Sequence, residues 1–169
     1  TFGFLIFTFN LFSQSSCLPD GITFTSQEQI DNFQINYPGC TEIEGDLIIS
    51  GEDITNLGGL NMVTDIGGFL WICNNAILAS VAGLHNITAI GAELWIYDNG
   101  MLENIEGLEN IDPGSIIDLH IYNNPVLSEC DIDNICEYLA DPGGTLEIYN
   151  NATGCNSQGE IEDACESSC

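Results

Sequence analysis

Aromatic side chains recur at intervals of 24 to 27 residues from Trp71 onward in this 169-residue chain. They are Trp71, Trp95, Tyr97, His120, Tyr122 and Tyr149. Exposed flat rings stack on sugar faces and anchor protein partners. The same rings can instead pack on one another and stabilise the strands that carry them. The pattern therefore predicts a non-covalent ligand-binding face, a ladder of rings that stabilise one another, or both.

Residue patterns for catalysis and metal binding are weak. The chain has no Lys or Arg to stabilise an anion and no Gly-x-Ser-x-Gly sequence. Its many carboxylates allow chance pairs, so a carbohydrate-active enzyme stays open as a third hypothesis. His85 and His120 are isolated, and the calcium-like Asp131-x-Asp133-Asn134 continues with Ile135 at the next ligand position. We expect no catalytic residue, no cofactor and no metal site.

The candidate rings lie on a repeat of about 23 to 27 residues. Each unit contains a Leu-x-Ile triplet, beginning at Leu47, Leu70, Leu94, Leu119 and Leu146. This alternation predicts a short strand with Leu and Ile facing inward and the intervening residue facing outward. A fixed period of this length is typical of stacked units that bury an apolar edge against their neighbours. We predict a β-solenoid with one parallel sheet of about five short strands.

Polar residues follow the predicted strands and mark corners. They are Asn74-Asn75, Asp98-Asn99, Asn123-Asn124 and Asn150-Asn151. Asn tolerates left-handed backbone and suits a turn, and amides stacked from one unit to the next can form a hydrogen-bonded ladder. A second set of apolar residues, which includes Leu57, Leu84 and Leu108, fills the remaining sides of each unit.

Short helices are predicted to cap both ends, as solenoids require. One helix begins near Thr25, with Glu28 as the partner in a capping box. The other covers Asp131–Leu139 and ends before Pro142. We divide the chain into a signal-peptide remnant at 1–16 and one repeat-built domain at 17–169, with a cap at 17–40, repeats at 41–127 and a second cap with the last strand at 128–169.

The repeat and its Cys-bracketed caps resemble the receptor L domain and its leucine-rich-repeat-like relatives. The motif is Leu-x-Ile-x-Asn-Asn followed by Leu-x-x-Ile-x-Gly-Leu, and the resemblance covers Cys17 to Cys165. It is closest to the versions in secreted surface proteins of Bacteroidetes-type bacteria. The resemblance implies a right-handed coil and a role as a binding or display module with no fixed class of partner.

The charge of the chain excludes several partners. It has 26 acidic residues and no Lys or Arg, for a net charge of −26. Phosphate backbones and anionic membrane surfaces would be repelled, so we expect no nucleic-acid partner and no insertion into a membrane. Divalent cations are expected to condense diffusely on such a surface.

The N-terminal segment and the eight cysteines indicate secretion. The apolar run Thr1–Phe12 is too short to span a bilayer, and small residues follow it as in a signal peptide. Eight cysteines allow 105 pairings, but position along the chain narrows them. The predicted disulfides are Cys17–Cys40, Cys130–Cys155 and Cys136–Cys165. No partner is assigned to Cys73 or Cys169, and the pairing of these two cysteines stays open.

These observations predict a secreted or cell-surface recognition or adhesion module without catalytic activity. It would bind a glycan or a protein through the aromatic face. The alternative is a structural spacer or a self-associating unit of a larger surface protein.

Overall fold

The computed structural model describes residues 15–167, which form two parallel β-sheets and several short helices. The strands are β1 Ser16–Cys17, β2 Ile22–Phe24, β3 Glu42–Ile43, β4 Leu47–Ile49, β5 Asp65–Ile66, β6 Leu70–Cys73, β7 Ala89–Ile90, β8 Leu94–Tyr97, β9 Leu119–Tyr122 and β10 Leu146–Tyr149. The α-helices are α1 Gln27–Asp31, α2 Phe33–Asn36, α3 Asp133–Ala140 and α4 Gln158–Ser167. Short 3-10 helices occur at Gly58–Leu60, Ala82–Leu84, Glu106–Leu108 and Pro113–Ser115.

The larger sheet is built from the predicted Leu-x-Ile triplets. Its six strands have the order β10-β9-β8-β6-β4-β2, and each triplet Leu pairs in register with the Leu of the next unit. The second sheet has the order β1-β3-β5-β7. The prediction of one sheet with about five strands is therefore wrong. It missed β2, which lacks the triplet, and four strands of two residues, which are too short to show an alternating pattern.

The interior is filled by the two apolar sets that the repeat predicts. Every triplet Leu and Ile from β4 to β9 is fully buried, as is the second apolar set that includes Leu57, Leu84 and Leu108. The 3-10 helices of neighbouring units pack closely at a glycine. A Cβ on Gly83 would clash with the Leu57 carbonyl, and one on Gly107 with the Val81 carbonyl. Glycine is needed at these positions because neighbouring backbones approach so closely.

A ladder of buried asparagines runs along the corner that follows the larger sheet. Asn75, Asn99 and Asn124 are fully buried. Each side-chain Nδ2 donates to the Oδ1 of the next ladder residue, over 2.9 Å from Asn75 to Asn99 and 3.1 Å from Asn99 to Asn124. The residue before each ladder asparagine has a φ of 55 to 57°. The predicted corner and the predicted amide ladder are both confirmed.

The N-terminal cap consists of α1 and α2. Ile30 and Phe33 are buried as expected, whereas Tyr37 is 37% exposed. The capping box between Thr25 and Glu28 is wrong, because the Thr25 backbone N–H donates instead to Gln29 Oε1, at 2.7 Å. Gln29, one position after Glu28, is the residue whose side chain reaches the Thr25 amide.

The C-terminal cap contains α3 and a second helix, α4. Ile135 and Leu139 of α3 face the core as predicted, and Tyr138 is buried beside them. The helix α4 was not predicted, because its only fully buried side chain is Ile161 and it therefore lacks an apolar stripe.

Three disulfides hold the caps. They are Cys17–Cys40, Cys130–Cys155 and Cys136–Cys165, the three pairs expected from the sequence. Cys73 is a buried free thiol, and Cys169 lies outside the described residues. Three disulfides fit a secreted or extracellular protein.

Within residues 15–167 no helix is long and apolar enough to cross a bilayer. The predicted signal-peptide remnant falls largely on residues 1–14, which lie outside the described part of the chain. Ser16, the last residue assigned to that remnant, is the first residue of β1.

Candidate functional site

The six aromatic candidates lie in two columns on the outer face of the larger sheet. We call them the aromatic strip: Trp71, Trp95, Tyr97, His120, Tyr122 and Tyr149. The register pairs Trp71 with Trp95 and Trp95 with His120 in one column. It pairs Tyr97 with Tyr122 and Tyr122 with Tyr149 in the other. The structure thus brings all six predicted residues together, on four adjacent strands.

The tryptophan column is a continuous stack. The ring centroids of Trp71 and Trp95 are 5.5 Å apart, and Trp95 stacks on His120 at 3.9 Å. Phe69, the residue just before β6, stacks on Trp71 at 4.3 Å and extends the column. Sequence reasoning missed Phe69, although it lies two residues before Trp71 and therefore on the same face of a strand.

The tyrosine column is more regular. Tyr97 and Tyr122 lie 5.2 Å apart with 15° between their planes, and Tyr122 and Tyr149 lie 5.0 Å apart with 5° between them. Because the planes are nearly parallel, each ring covers a face of its neighbour. Tyr149 belongs to the terminal strand β10, so it has one ring neighbour in the column, and it is 43% exposed. The column therefore offers mainly ring edges and hydroxyl groups to a partner.

His120 is less available than its outward position predicts. Its residue is only 5% exposed, since it lies under Trp95 and beside Glu147. His120 Nδ1 is 2.9 Å from Glu147 Oε2, within hydrogen-bond distance. This contact orients the His120 ring and links β9 to β10. His120 therefore contributes to the stability of the sheet.

The two indole nitrogens of the strip differ in their partners. Trp95 Nε1 donates to Glu93 Oε2 at 2.8 Å. Trp71 Nε1 is buried and has no acceptor among residues 15–167. A buried unpaired donor costs stability, so the position of Trp71 reflects ring packing rather than hydrogen bonding.

Two tyrosines of the strip hold their protons more tightly than usual. A hydrogen bond with the Cys73 thiol, followed by burial, raises the pKa of Tyr97 well above its ordinary value. Burial, followed by the nearby Tyr149 and Asp98, raises the pKa of Tyr122. Both side chains are therefore neutral hydroxyls at physiological pH and can donate or accept a hydrogen bond.

A column of exposed apolar residues was missed. Ile77, Met101 and Val126 each lie two positions after a ladder asparagine and are 48%, 50% and 40% exposed. We call them the corner column. The signal was present in the sequence, because these apolar residues share one repeat position outside the Leu and Ile pattern of the core. They add unpartnered apolar surface to the same corner of each unit.

Comparison with protein-family models, curated proteins and solved structures found no match. The function of the strip is therefore inferred from its own geometry and chemistry.

The chemical groups of the strip are aromatic rings, tyrosine hydroxyls and an imidazole. Within the described residues, no group of three or more His, Cys, Asp and Glu side chains is arranged to hold a metal ion. The register also keeps the Cys73 thiol apart from His120, since they lie in different columns with β8 between their strands. Ring edges and hydroxyls of the strip, with the neighbouring carboxylates of Glu93 and Glu147, can make non-covalent contacts.

Proposed function

We propose that this protein is a secreted or surface-displayed recognition module without catalytic activity, and that the aromatic strip is its binding face. We further propose that the two parallel sheets belong to one right-handed solenoid of the receptor L domain kind. The in-register pairing of consecutive repeats in both sheets supports that assignment. So does the placement of disulfide-linked helices at the two ends.

One observation carries the functional proposal. Trp71, Trp95, Tyr97 and Tyr122 form a continuous patch in which each side chain keeps part of its surface in contact with solvent. Patches of large aromatic side chains on a rigid sheet are the usual anchors of protein interfaces. The backbone under the patch is held by hydrogen bonds in every strand, so the rings are already in place before a partner arrives.

The geometry favours a protein partner over a glycan. Stacking on a sugar needs an open ring face, and in the tyrosine column most faces are covered by neighbouring rings. Ring edges, neutral hydroxyls and the carboxylates of Glu93 and Glu147 fit the polar and cationic groups of a protein surface. The absence of Lys and Arg from the chain leaves those carboxylates available, apart from the contacts with Trp95 and His120.

The test is a binding panel with the oxidised chain against whole cells, extracellular protein extracts, a glycan array and insoluble polysaccharides. A Trp95→Ala/Tyr122→Ala variant removes one ring from each column. An Ile35→Ala/Met62→Ala variant is the matched control, because both residues are exposed and lie outside the strip. Circular dichroism first verifies that both variants fold.

We expect at least one protein partner to bind the natural chain and the control variant but not the strip variant. Retention of every interaction by the strip variant would contradict the proposal. If the natural chain bound only glycans and the strip variant did not bind them, the strip would still be the binding face, but the partner would be a glycan.

The second candidate is a structural spacer, and the stacking itself favours it. Rings that cover each other stabilise neighbouring strands without any ligand. A spacer predicts that the strip variant loses stability and no interaction. The same panel, read beside an unfolding measurement, separates the two candidates.

A further inference from the structure

The larger sheet ends in an unpaired strand edge at β10. In each earlier unit the triplet Leu N–H donates across to the next strand, as Leu94 does to Asp118 O at 2.9 Å and Leu119 to Thr145 O at 3.0 Å. The equivalent N–H of Leu146 has no acceptor among residues 15–167. The same holds for the Asn150 N–H, whose counterpart at Asn123 donates to Tyr149 O. An edge of this kind is a template for another strand.

The side chains of this last strand are also incompletely covered. Leu119 and Ile121 of β9 are fully buried, but Leu146 and Ile148, which continue the same inward columns, are only half-buried. The outward Tyr149 continues the tyrosine column and stacks on Tyr122 alone. At β10, the Leu, Ile and Tyr columns therefore each end in a side chain that has no neighbour on its outer side.

The opposite end of the sheet is different. Phe24 of β2 is 2% exposed, because Phe33 of α2 packs against it edge to face at 5.7 Å. The N-terminal cap therefore buries Phe24, although Ile22 of β2 stays half-buried. At the other end, α4 is joined through Cys136–Cys165 to α3 and leaves both inward side chains of β10 half-buried. The C-terminal edge is thus the less protected of the two.

Charge decides which strand fits. Glu147 points outward from β10, and its side chain is 46% exposed. A second copy of the chain would bring its own net charge of −26 and no Lys or Arg to this edge. Like charges directly opposite each other on adjacent strands are destabilising. A segment that carries Lys or Arg would instead be attracted by the whole molecule and paired locally with Glu147.

We propose that the free edge of β10 binds an extended, Lys- or Arg-containing segment of a partner protein as a seventh parallel strand. Apolar side chains of that segment cover Leu146 and Ile148, its basic side chain lies opposite Glu147, and a flat side chain covers the open face of Tyr149. This is β-strand addition, in which backbone hydrogen bonds supply affinity and alternate side chains supply specificity. The site goes beyond the aromatic strip and does not depend on the strip being a binding face.

The test uses the whole oxidised chain and a designed peptide, Thr-Leu-Lys-Ile-Tyr-Asn-Asn, blocked at both termini. It copies residues 145–151 with Lys in place of Glu147. The control peptide keeps Glu at that place. We expect saturable binding of the Lys peptide in calorimetry, about tenfold tighter than the Glu peptide at low salt. No binding of the Lys peptide would overturn the proposal.

Two protein variants locate the contact. Glu147→Lys should reverse the preference, so that the Glu peptide binds more tightly than the Lys peptide. Glu52→Lys changes the net charge equally at an exposed site in an earlier unit and should keep the original preference. If both variants change the preference equally, attraction to the general negative surface explains the binding and the edge is not the site.

Methylated peptides test the backbone bonds. In the larger sheet, the N–H of Ser50, the residue after β4, donates to the carbonyl oxygen of Phe24 on the preceding strand β2. By the same rule the Lys and Tyr amides of the peptide face β10, and its Leu and Ile amides face away. N-methylation of the Lys and Tyr amides should abolish binding, whereas N-methylation of the Leu and Ile amides should not. Equal binding of both peptides would overturn strand addition.

Sedimentation of the chain alone tests whether a second copy of the chain occupies the β10 edge. We expect a monomer at neutral pH. A dimer that Ile148→Glu dissociates would assign the edge to a second copy and overturn the proposal.

Discussion

Two columns of side chains run side by side along this protein and are used in opposite ways. The asparagine ladder and the tyrosine column are two residues apart in each unit, so they share one repeat and one backbone geometry. The asparagines are buried and bonded to each other and to backbone carbonyls. The tyrosines touch each other only through their rings and retain exposed edges.

The difference shows how one repeat can hold a position that accepts a single residue type beside a position that varies. A buried amide has to satisfy two donors and an acceptor in fixed directions, so the ladder position accepts little besides Asn. Ring stacking is less directional, and the aromatic columns accordingly also contain Ile48, Ser50 and Cys73 in earlier units. The position that tolerates variety is the one that can be adapted to a partner.

The largest effect that this comparison predicts is for Asn99→Ala. The substitution leaves the buried Asn75 backbone N–H and one Asn75 Nδ2 proton without their acceptor, Asn99 Oδ1. Buried polar groups that lose partners cost about 1 to 3 kcal/mol each, so we expect a loss of about 3 kcal/mol or more in the free energy of unfolding. Urea unfolding at 25 °C measures it.

Asp98→Ala is the matched control for that substitution. Asp98 is the exposed left-handed neighbour of Asn99, and its loss should cost about 1 kcal/mol through backbone conformation alone. Equal losses for the two variants would show that the turn, and not the ladder, is what stabilises this corner.

The next effect separates the middle of the tyrosine column from its end. Tyr122→Ala removes a ring stacked on both sides, and we expect a loss of about 2 kcal/mol in the free energy of unfolding. Tyr149→Ala removes a ring stacked on one side and should cost about 1 kcal/mol or less. If the end residue cost as much as the middle one, the stacking account of this column would be wrong.

The ladder and the strip were accessible to sequence reasoning for the same reason. Asn75, Asn99 and Asn124 occur at one repeat position, and so do Trp71 and Trp95, so alignment of the repeat units is enough to place them side by side. The preference of Asn for turns then predicted a corner at these residues. What the repeat could not specify was how far each ring is covered, because that depends on the rotamers of its neighbours.

The elements that the sequence did not reveal have no periodic signal. The strand β2 lacks the Leu-x-Ile triplet, and the two-residue strands of the second sheet show no alternation. Likewise, α4 has a single buried apolar side chain. The burial of His120 follows from contacts with Trp95 and Glu147 on two different strands, and no spacing along the chain encodes it.

Alkaline pH should weaken the tyrosine column and spare the ladder. The pKa of Tyr97 is raised in the folded protein, so above its ordinary value of 10.0 the unfolded chain loses this proton first. Stability from this group is therefore complete below about pH 10 and is lost as the pH rises toward the folded pKa. Tyr97→Phe should make the decline above pH 10 shallower. Unfolding curves at pH 8 and above pH 10 would show it, and an unchanged slope would contradict the assignment.

The smallest effect concerns the two tryptophans of the strip. Trp95→Phe removes the hydrogen bond to Glu93 together with part of a stacked ring, and we expect a loss of about 1 kcal/mol in the free energy of unfolding. Trp71→Phe also removes ring area, but it eliminates the buried, unpaired Nε1 donor at the same time. These two terms oppose each other, so the expected change is below about 0.5 kcal/mol in either direction.

The pair of tryptophan substitutions is informative because the chemical change is identical and the two sites are neighbours on adjacent strands. A larger loss for Trp95→Phe than for Trp71→Phe would show that hydrogen bonding contributes to one ring and packing alone to the other. The reverse order would mean that Trp71 Nε1 has a bonded partner in solution. Trp71 would then take part in polar contacts on the outer face, and the contrast between a bonded inner ladder and a stacked outer column would be weaker at that position.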